Sequence, residues 1–393
     1  MPDLFSDDVR RNPYPVYAQL RQRSPLFHVP PPFDGWVLLD YDTAKWALSD
    51  HEAFSSRVPA PRNWFIFTDP PLHTRLRGLI SRAFTPRIIA GLESRIREIS
   101  REFLHASLSR GEIDVATELA IPLAMKVIAT MIGIPEADWA RYRHWSDVIL
   151  QLSYTRSDSG KAQKALSDFA GVTAEMSGYL AQMIGHRSAE PRNDLLTRLV
   201  EAEFDGERLS HEEILGFVQL LIVAGQETSS DLISNAVLCL LEYPQELAKL
   251  RTHPELLPSA IEEVLRFRAP LQWMMRTPRN PIEVHGQTIP PGALVLPMIG
   301  AANRDPGKFP NPETFDITRD PNPHLAFGHG VHFCIGAALS RLEAKVVVSE
   351  LLGLFATFEL ATSEPLKPRS ALHVHGPMHL PIRFHAARHS AAG

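Results

Sequence analysis

The stretch Phe327-Gly328-His329-Gly330-Val331-His332-Phe333-Cys334-Ile335-Gly336 is followed at once by Ala337-Ala338-Leu339-Ser340-Arg341-Leu342-Glu343-Ala344. Three glycines in nine positions permit unusual backbone angles and the close approach of a flat object. The residues after Gly336 are strong helix formers, so Cys334 stands in a loop at a helix amino terminus. Free N–H groups and the helix dipole stabilise a thiolate there. A deprotonated sulfur in a tight apolar loop is suited to one axial bond to iron, a ligand that pushes electron density to the metal and favours O–O cleavage. Two other readings stay open on these residues alone. Cys334 can be a small buried hydrophobe, and His324, His329, His332 and Cys334 can supply four ligands to zinc.

The surroundings narrow the class. The chain has 393 residues, 44% of them hydrophobic, a net charge of −5 and only two cysteines, Cys239 and Cys334. It can bury a large core, so disorder is excluded as a class. Nothing in the charge favours nucleic acid, which calls for a basic excess. Two cysteines make no disulfide framework. The first residues show no charged-then-apolar leader pattern, and no run approaches eighteen consecutive apolar residues. The expectation is a cytoplasmic protein without a membrane span.

Helical periodicity runs over 87–107, after Thr85-Pro86, and over about 118–131, 136–153, 162–186 and 244–269. The longest helix is expected from about Ser210 to Leu241, opened by a Ser210/Glu213 capping box. Its interior from Leu215 to Val223 is apolar on nearly every face, which predicts a central, buried helix. Short strands are expected at Gly35–Tyr41, Ile282–His285, Ala293–Leu296 and Leu380–Phe384. The fold class is therefore mainly α with small β-sheets drawn from distant parts of the chain. One domain is expected over 1–385, with a frayed tail at 386–393.

Ala224-Gly225-Gln226-Glu227-Thr228 interrupts the apolar helix. A mid-helix glycine costs about 1 kcal/mol relative to alanine, and an acid beside a β-branched alcohol adds polarity. A kink with Thr228 bonded back to a carbonyl is the bland explanation. In the centre of a buried helix the same residues point to a function.

The cysteine loop and this helix together resemble the cytochrome P450 family of the soluble bacterial kind, and the likeness extends in order through most of the chain. The resemblance implies the P450 fold, with the long helix over haem b (iron protoporphyrin IX), and Cys334 as axial ligand. Phe327, Gly328, Gly336 and Ala224 would lie against the haem. It also implies that Gly225 leaves room for O2, that Thr228 holds it with an ordered water, and that Glu227 feeds protons inward. His73 and Arg77, four apart on one helix face, are implied as propionate donors with Arg276 and His332. Glu263 and Arg266, three apart, are implied as a buried structural pair completed by an arginine of the later meander. Thr314 stands where many relatives carry that arginine, so Arg319 is the expected third member.

The implied activity is a monooxygenase that hydroxylates or epoxidises a hydrophobic molecule such as a terpenoid, steroid, fatty acid or polyketide. A peroxide-driven oxygenase on the same scaffold and a non-catalytic haem sensor are the alternatives. Trp64 and Phe67 are expected to roof the pocket, and Leu220, Val223, Gln272 and Met274 to line it, with Trp273 and Met275 facing away. No flavin or iron–sulfur module is legible in these residues. Electrons are expected from NAD(P)H through a reductase and a ferredoxin or flavodoxin. Arg75, Arg82, Arg95, Arg97, Arg101 and Arg341 are candidates for a basic docking patch.

Overall fold

The computed structural model describes residues 6–30, 34–57, 64–154 and 162–387. It is mostly helical with small sheets, and its backbone forms two compact units. The first contains Met1–Val58, Glu93–Pro122 and Thr228–Gly393, and the second Pro59–Leu92 and Leu123–Glu227.

In the first unit, Leu26–Val29 pairs antiparallel with Gly35–Leu38, which pairs parallel with Leu294–Pro297. A second sheet joins Phe355–Leu360, Pro381–Ala386 and Glu112–Asp114. Ile282–Val284 and Gln287–Ile289 form a hairpin. Its two-residue turn, His285-Gly286, has positive φ at both positions (48° and 73°), the geometry that matches strand twist. Tyr14, Tyr17, Val37, Leu296 and Met298 form part of one buried cluster, against which Trp273 and Met275 pack. These two side chains therefore face the core, although 272–275 forms no strand and only isolated bridges stand at Leu271 and Arg276.

The second unit is built on the helices Leu72–Ala83, Trp139–Tyr154 and Ala162–Ala189. Asp194 holds it together locally. The carboxylate accepts from Thr197 N at the start of Leu195–Glu201 and from Arg187 Nε at 2.6 Å. Gly133, at φ 90°, lies so close that a Cβ there would sit 2.3 Å from Asp194 Oδ2.

The central helix runs unbroken from His211 to Glu242. Ser210 N donates to Glu213 Oε2 and Glu213 N to Ser210 Oγ, which closes the capping box. Two expected helices are divided. The segment from 87 to 107 turns at Gly91, separating Pro86–Ala90 from Glu93–Ser107. The segment from 244 to 269 breaks at His253-Pro254 into Pro244–Thr252 and Leu257–Phe267, because a proline disfavours helix at the residue before it. One described stretch, Val115–Ile132, is long and apolar enough to cross a membrane by length and composition. Two-thirds of it (67%) is buried, as in a core helix. Of the expected tail, 388–393 lies outside the described residues.

Candidate functional site

The cysteine loop is built by its glycines. Gly328 and Gly330 have φ of 70° and 74°. A Cβ at 330 would stand 2.8 Å from Ser49 Cα, whereas one at 328 meets nothing nearer than 3.9 Å. Cys334 N donates to Phe327 O at 2.9 Å, which closes the loop on itself. The helix Ala337–Leu354 then starts with Gly336 at its N-cap. The two cysteines differ sharply. Cys239 is fully buried, and burial pushes its thiol up to about 12. Cys334 is half-buried at the helix entrance. The histidines of the zinc reading are turned elsewhere. His324 meets Glu262, His329 meets Ser49, and His332 meets Ser56 at 3.0 Å. Among the described residues no group of three or more His, Cys, Asp or Glu could hold a metal ion.

His73 and Arg77 lie one turn apart on Leu72–Ala83; His73 is buried and stacks on Phe65, ring centroids 5.7 Å apart. In the other unit, Arg276 is buried, with its backbone paired in both directions to Val295. Trp64 is buried and stacks on Phe67, while 58–63 of the expected lid lies outside the described residues. Gln272 donates through Nε2 to Ala269 O and presses on Gly300. The amide counted for the pocket thus gives its Nε2 to the backbone of its own turn, while its buried Oε1 has no hydrogen-bond partner.

On the central helix, Phe217 to Leu240 is buried except at Val223, Ala224, Gly225 and Thr228. Ala224 is the exposed one and Thr228 is one turn further on, so both share an opening in an otherwise buried helix. Glu227 beside them is buried. Gly225 has a packing reason of its own. A Cβ there would stand 2.6 Å from Ile128 Cδ1, so the glycine admits the helix Ile121–Ile132, and Ala224 is the small residue on the Thr228 face. Ser146 Oγ donates to Gln226 Oε1 at 2.5 Å and ties this turn to the helix Trp139–Tyr154.

Behind the cysteine loop, Glu263 and Arg266 are fully buried and paired through two contacts of 2.8 Å. Arg266 also donates to the carbonyls of Asn303, Pro312 and Thr314. Arg319 Nε lies 3.2 Å from the Glu263 carboxylate, and Asn322 donates to it at 3.1 Å. Each lone pair of the buried acid is thereby used, the condition under which a buried pair is tolerable.

Two further acids escaped the sequence reading. Glu262 takes a bidentate contact from Arg341, 2.7 Å on each side, and a third from His324. Burial pushes this carboxyl up, but those hydrogen bonds outweigh it and hold it at about 2. Glu343 is fully buried on the helix after the cysteine. Neither oxygen has a partner at full hydrogen-bond geometry, and burial pushes it up to about 8, a rise the nearby Ser229 hydroxyl only trims. An acid at a position facing inward on that helix was the available signal for Glu343.

The arginines of the docking patch are mostly engaged. Arg97 and Arg101 share Glu350, Arg95 meets Glu98, Arg75 meets Glu213 and Glu207, and Arg341 meets Glu262. Arg82 lies over the Phe204 ring.

A half-buried cysteine at a helix start, glycines that flatten its loop, and a long helix opened beside an acid–alcohol pair define the class of haem-thiolate proteins. Comparison with known proteins agrees. The family described as cytochrome P450 matches residues 9–377. A putative cytochrome P450, YjiB of Bacillus subtilis, is 40% identical over 91% of this chain and 90% of its own. The cytochrome P450 monooxygenase PikC of Streptomyces venezuelae is 40% identical over 88% of this chain and 85% of its own. The crystal structure of CYP109E1 from Bacillus megaterium in complex with corticosterone superposes with a TM-score of 0.89 at 34% identity, over 96% of this chain and 99% of that one. The chain belongs to the cytochrome P450 family and is an oxygen-inserting oxidoreductase of that kind. The residues present fit a haem: a half-buried thiol for the iron, an exposed alanine on the central helix, and a carboxyl–hydroxyl pair beside it.

Proposed function

We propose that this monooxygenase hydroxylates or epoxidises a hydrophobic small molecule of the size of a terpenoid, steroid, fatty acid or polyketide. Two electrons come from NAD(P)H through a reductase and an external ferredoxin or flavodoxin. The observation that carries the reading is the opening at Val223, Ala224, Gly225 and Thr228 in a helix otherwise buried from Phe217 to Leu240, with Glu227 beside it. When bound, the haem supplies the iron at which O2 is reduced and cleaved, one atom entering the substrate and the other leaving as water. Cys334 holds the iron as thiolate, favoured by the helix start behind it. His73, Arg77, Arg276 and His332 offer donors to the two propionates, while Phe327, Gly328, Gly336 and Ala224 leave room for the ring. Thr228 Oγ1 holds a proton toward the opening, and Glu227 resupplies it from the buried side, so that protons arrive one at a time. Glu263, Arg266 and Arg319 keep the cysteine side in shape. Leu220, Val223, Met274 and Phe67 give the substrate an apolar wall, which excludes water. The reading takes residues 1–385 as one domain and places the protein in the cytoplasm.

The test is the CO-difference spectrum of the reduced protein with Cys334→Ser beside it, followed by turnover. A red-shifted Soret band in the wild type alone, and turnover that requires ferredoxin, reductase and NAD(P)H, is the expected result. A folded wild type that takes up no haem overturns the reading. Turnover with peroxide alone, unimproved by the electron donors, replaces it with the peroxide-driven one. A CO band without turnover of any substrate replaces it with a sensor.

A further inference from the structure

A fixed cation stands against the cysteine loop. Arg341 lies on the second turn of the helix Ala337–Leu354, and helical side chains lean toward the amino terminus of their helix, here the end that follows Cys334. The guanidinium carbon is 4.4 Å from the centre of the Phe327 ring. Phe327 belongs to the loop itself, because its carbonyl takes the Cys334 N–H at 2.9 Å. Only about a third of the arginine side chain is exposed (36%), so its charge is less screened than one held out in water.

Glu262, on the helix Leu257–Phe267, balances that charge. It accepts from Arg341 Nε and Nη2 at 2.7 Å each, the two-pronged geometry that suits a guanidinium and a carboxylate. A third bond comes from His324. Ala326 N donates to His324 Nδ1 at 3.2 Å, so Nδ1 is the acceptor and Nε2 carries the hydrogen that points to Glu262 at 3.1 Å. His324 thus adds a bond without adding a charge, and one carboxylate answers one guanidinium. All four residues, Glu262, His324, Phe327 and Arg341, lie in the first unit with Cys334.

We propose that Glu262 tunes the iron ligand from a distance: by neutralising Arg341 on the Phe327 ring, it keeps that cation from drawing charge off Cys334. Charge and hydrogen bonding around the ligand are levers on the reduction potential. An unbalanced cation beside the loop favours the added electron, and an unbalanced carboxylate opposes it. Glu262 is then a positioning and charge-balancing residue, and Arg341 is committed inward to the loop rather than outward to a partner. The inference rests on Cys334 as the haem ligand.

The test is the reduction potential of the haem-loaded full-length protein, titrated with dithionite and mediators in the absence of ferredoxin. The pH is 8.5, well above the usual imidazole pKa of about 6.5, so that His324 does not replace a lost cation. Glu262→Gln keeps the shape of the side chain and removes its charge. It is expected to favour reduction about tenfold, which is about 59 mV upward for one electron. Arg341→Gln is expected to shift the potential about as far downward. The double variant, with both charges gone, should return to within threefold of the wild type. Opposite signs that cancel are the mark of a charge balance, whereas loosened packing would not change sign. A shift of less than threefold in either single variant, shifts of the same sign, or a double variant that stays displaced overturns the proposal. So does a change confined to electron transfer from ferredoxin, which would make Arg341 a docking residue only. If Glu262→Gln loads no haem, the direction of the Arg341→Gln shift decides alone. A wild type that takes up no haem defeats the functional reading together with this one; a loaded protein with an unmoved potential defeats only this one.

Discussion

Gly330→Ala and Gly328→Ala form a matched pair on the cysteine loop. Both positions have φ near 70°, so each alanine takes on the left-handed strain of about 1–2 kcal/mol. They differ in what the new methyl meets. At 330 it would stand 2.8 Å from Ser49 Cα and 3.0 Å from Ser49 O, which are backbone atoms and cannot rotate away. At 328 the nearest atom is 3.9 Å away. Overpacking against rigid neighbours adds about 1–3 kcal/mol. Gly330→Ala is therefore expected to cost about 2–5 kcal/mol and Gly328→Ala about 1–2 kcal/mol. Equilibrium urea denaturation of the two variants measures the difference, and haem content after purification reports whether the loop still closes. Equal losses within about 0.5 kcal/mol would refute the Ser49 contact as the reason for the glycine.

Glu343→Gln should change the pH dependence of stability. The wild-type carboxyl is raised from 4.5 to about 8 in the fold, so the native state holds its proton more tightly than the unfolded chain does. Its contribution is intact below about pH 4.5 and is lost as pH rises toward 8. Denaturation midpoints measured from pH 5 to 9 should fall for the wild type and stay flat for the glutamine variant, which becomes the more stable of the two at pH 8.5; parallel curves would contradict the burial argument. Gly225→Ala should be destabilising despite alanine's better helix propensity, by about 1–2 kcal/mol, and Ile128→Ala should relieve that extra cost in the double variant. Additive losses in that cycle would show that Ile128 is not the neighbour that requires the glycine.

Local signals carried much of this fold. The capping box, the apolar run after it and the glycine-rich loop before a strong helix each depend on neighbours within a few positions, and the elements stand where those neighbours put them. The breaks at Gly91 and Pro254 were harder to see, because apolar periodicity continues on both sides of each. The site divides along the same line. Cys334, Glu227 and Thr228 announce themselves by chemistry out of place in an apolar setting. The reason for Gly225 lies in Ile128, 97 positions earlier, and Glu262 gains its weight from Arg341, 79 positions later. Pairings of that span leave no trace in a single sequence. Gln272 shows the converse: alternation suggested a pocket role, but 272–275 is not a strand, and the carbonyl of Ala269 takes its Nε2.

The unequal placement of the two cysteines makes the native chain, in effect, a one-thiol reagent. Cys239, sealed inside the central helix with its proton tightly held, is closed to alkylating agents until the protein unfolds. Cys334 alone stands within their reach, and a metal bond would occupy the very lone pair they attack. Counting modified thiols under native conditions therefore counts haem-free molecules, and the second thiol to react times the loss of the fold itself.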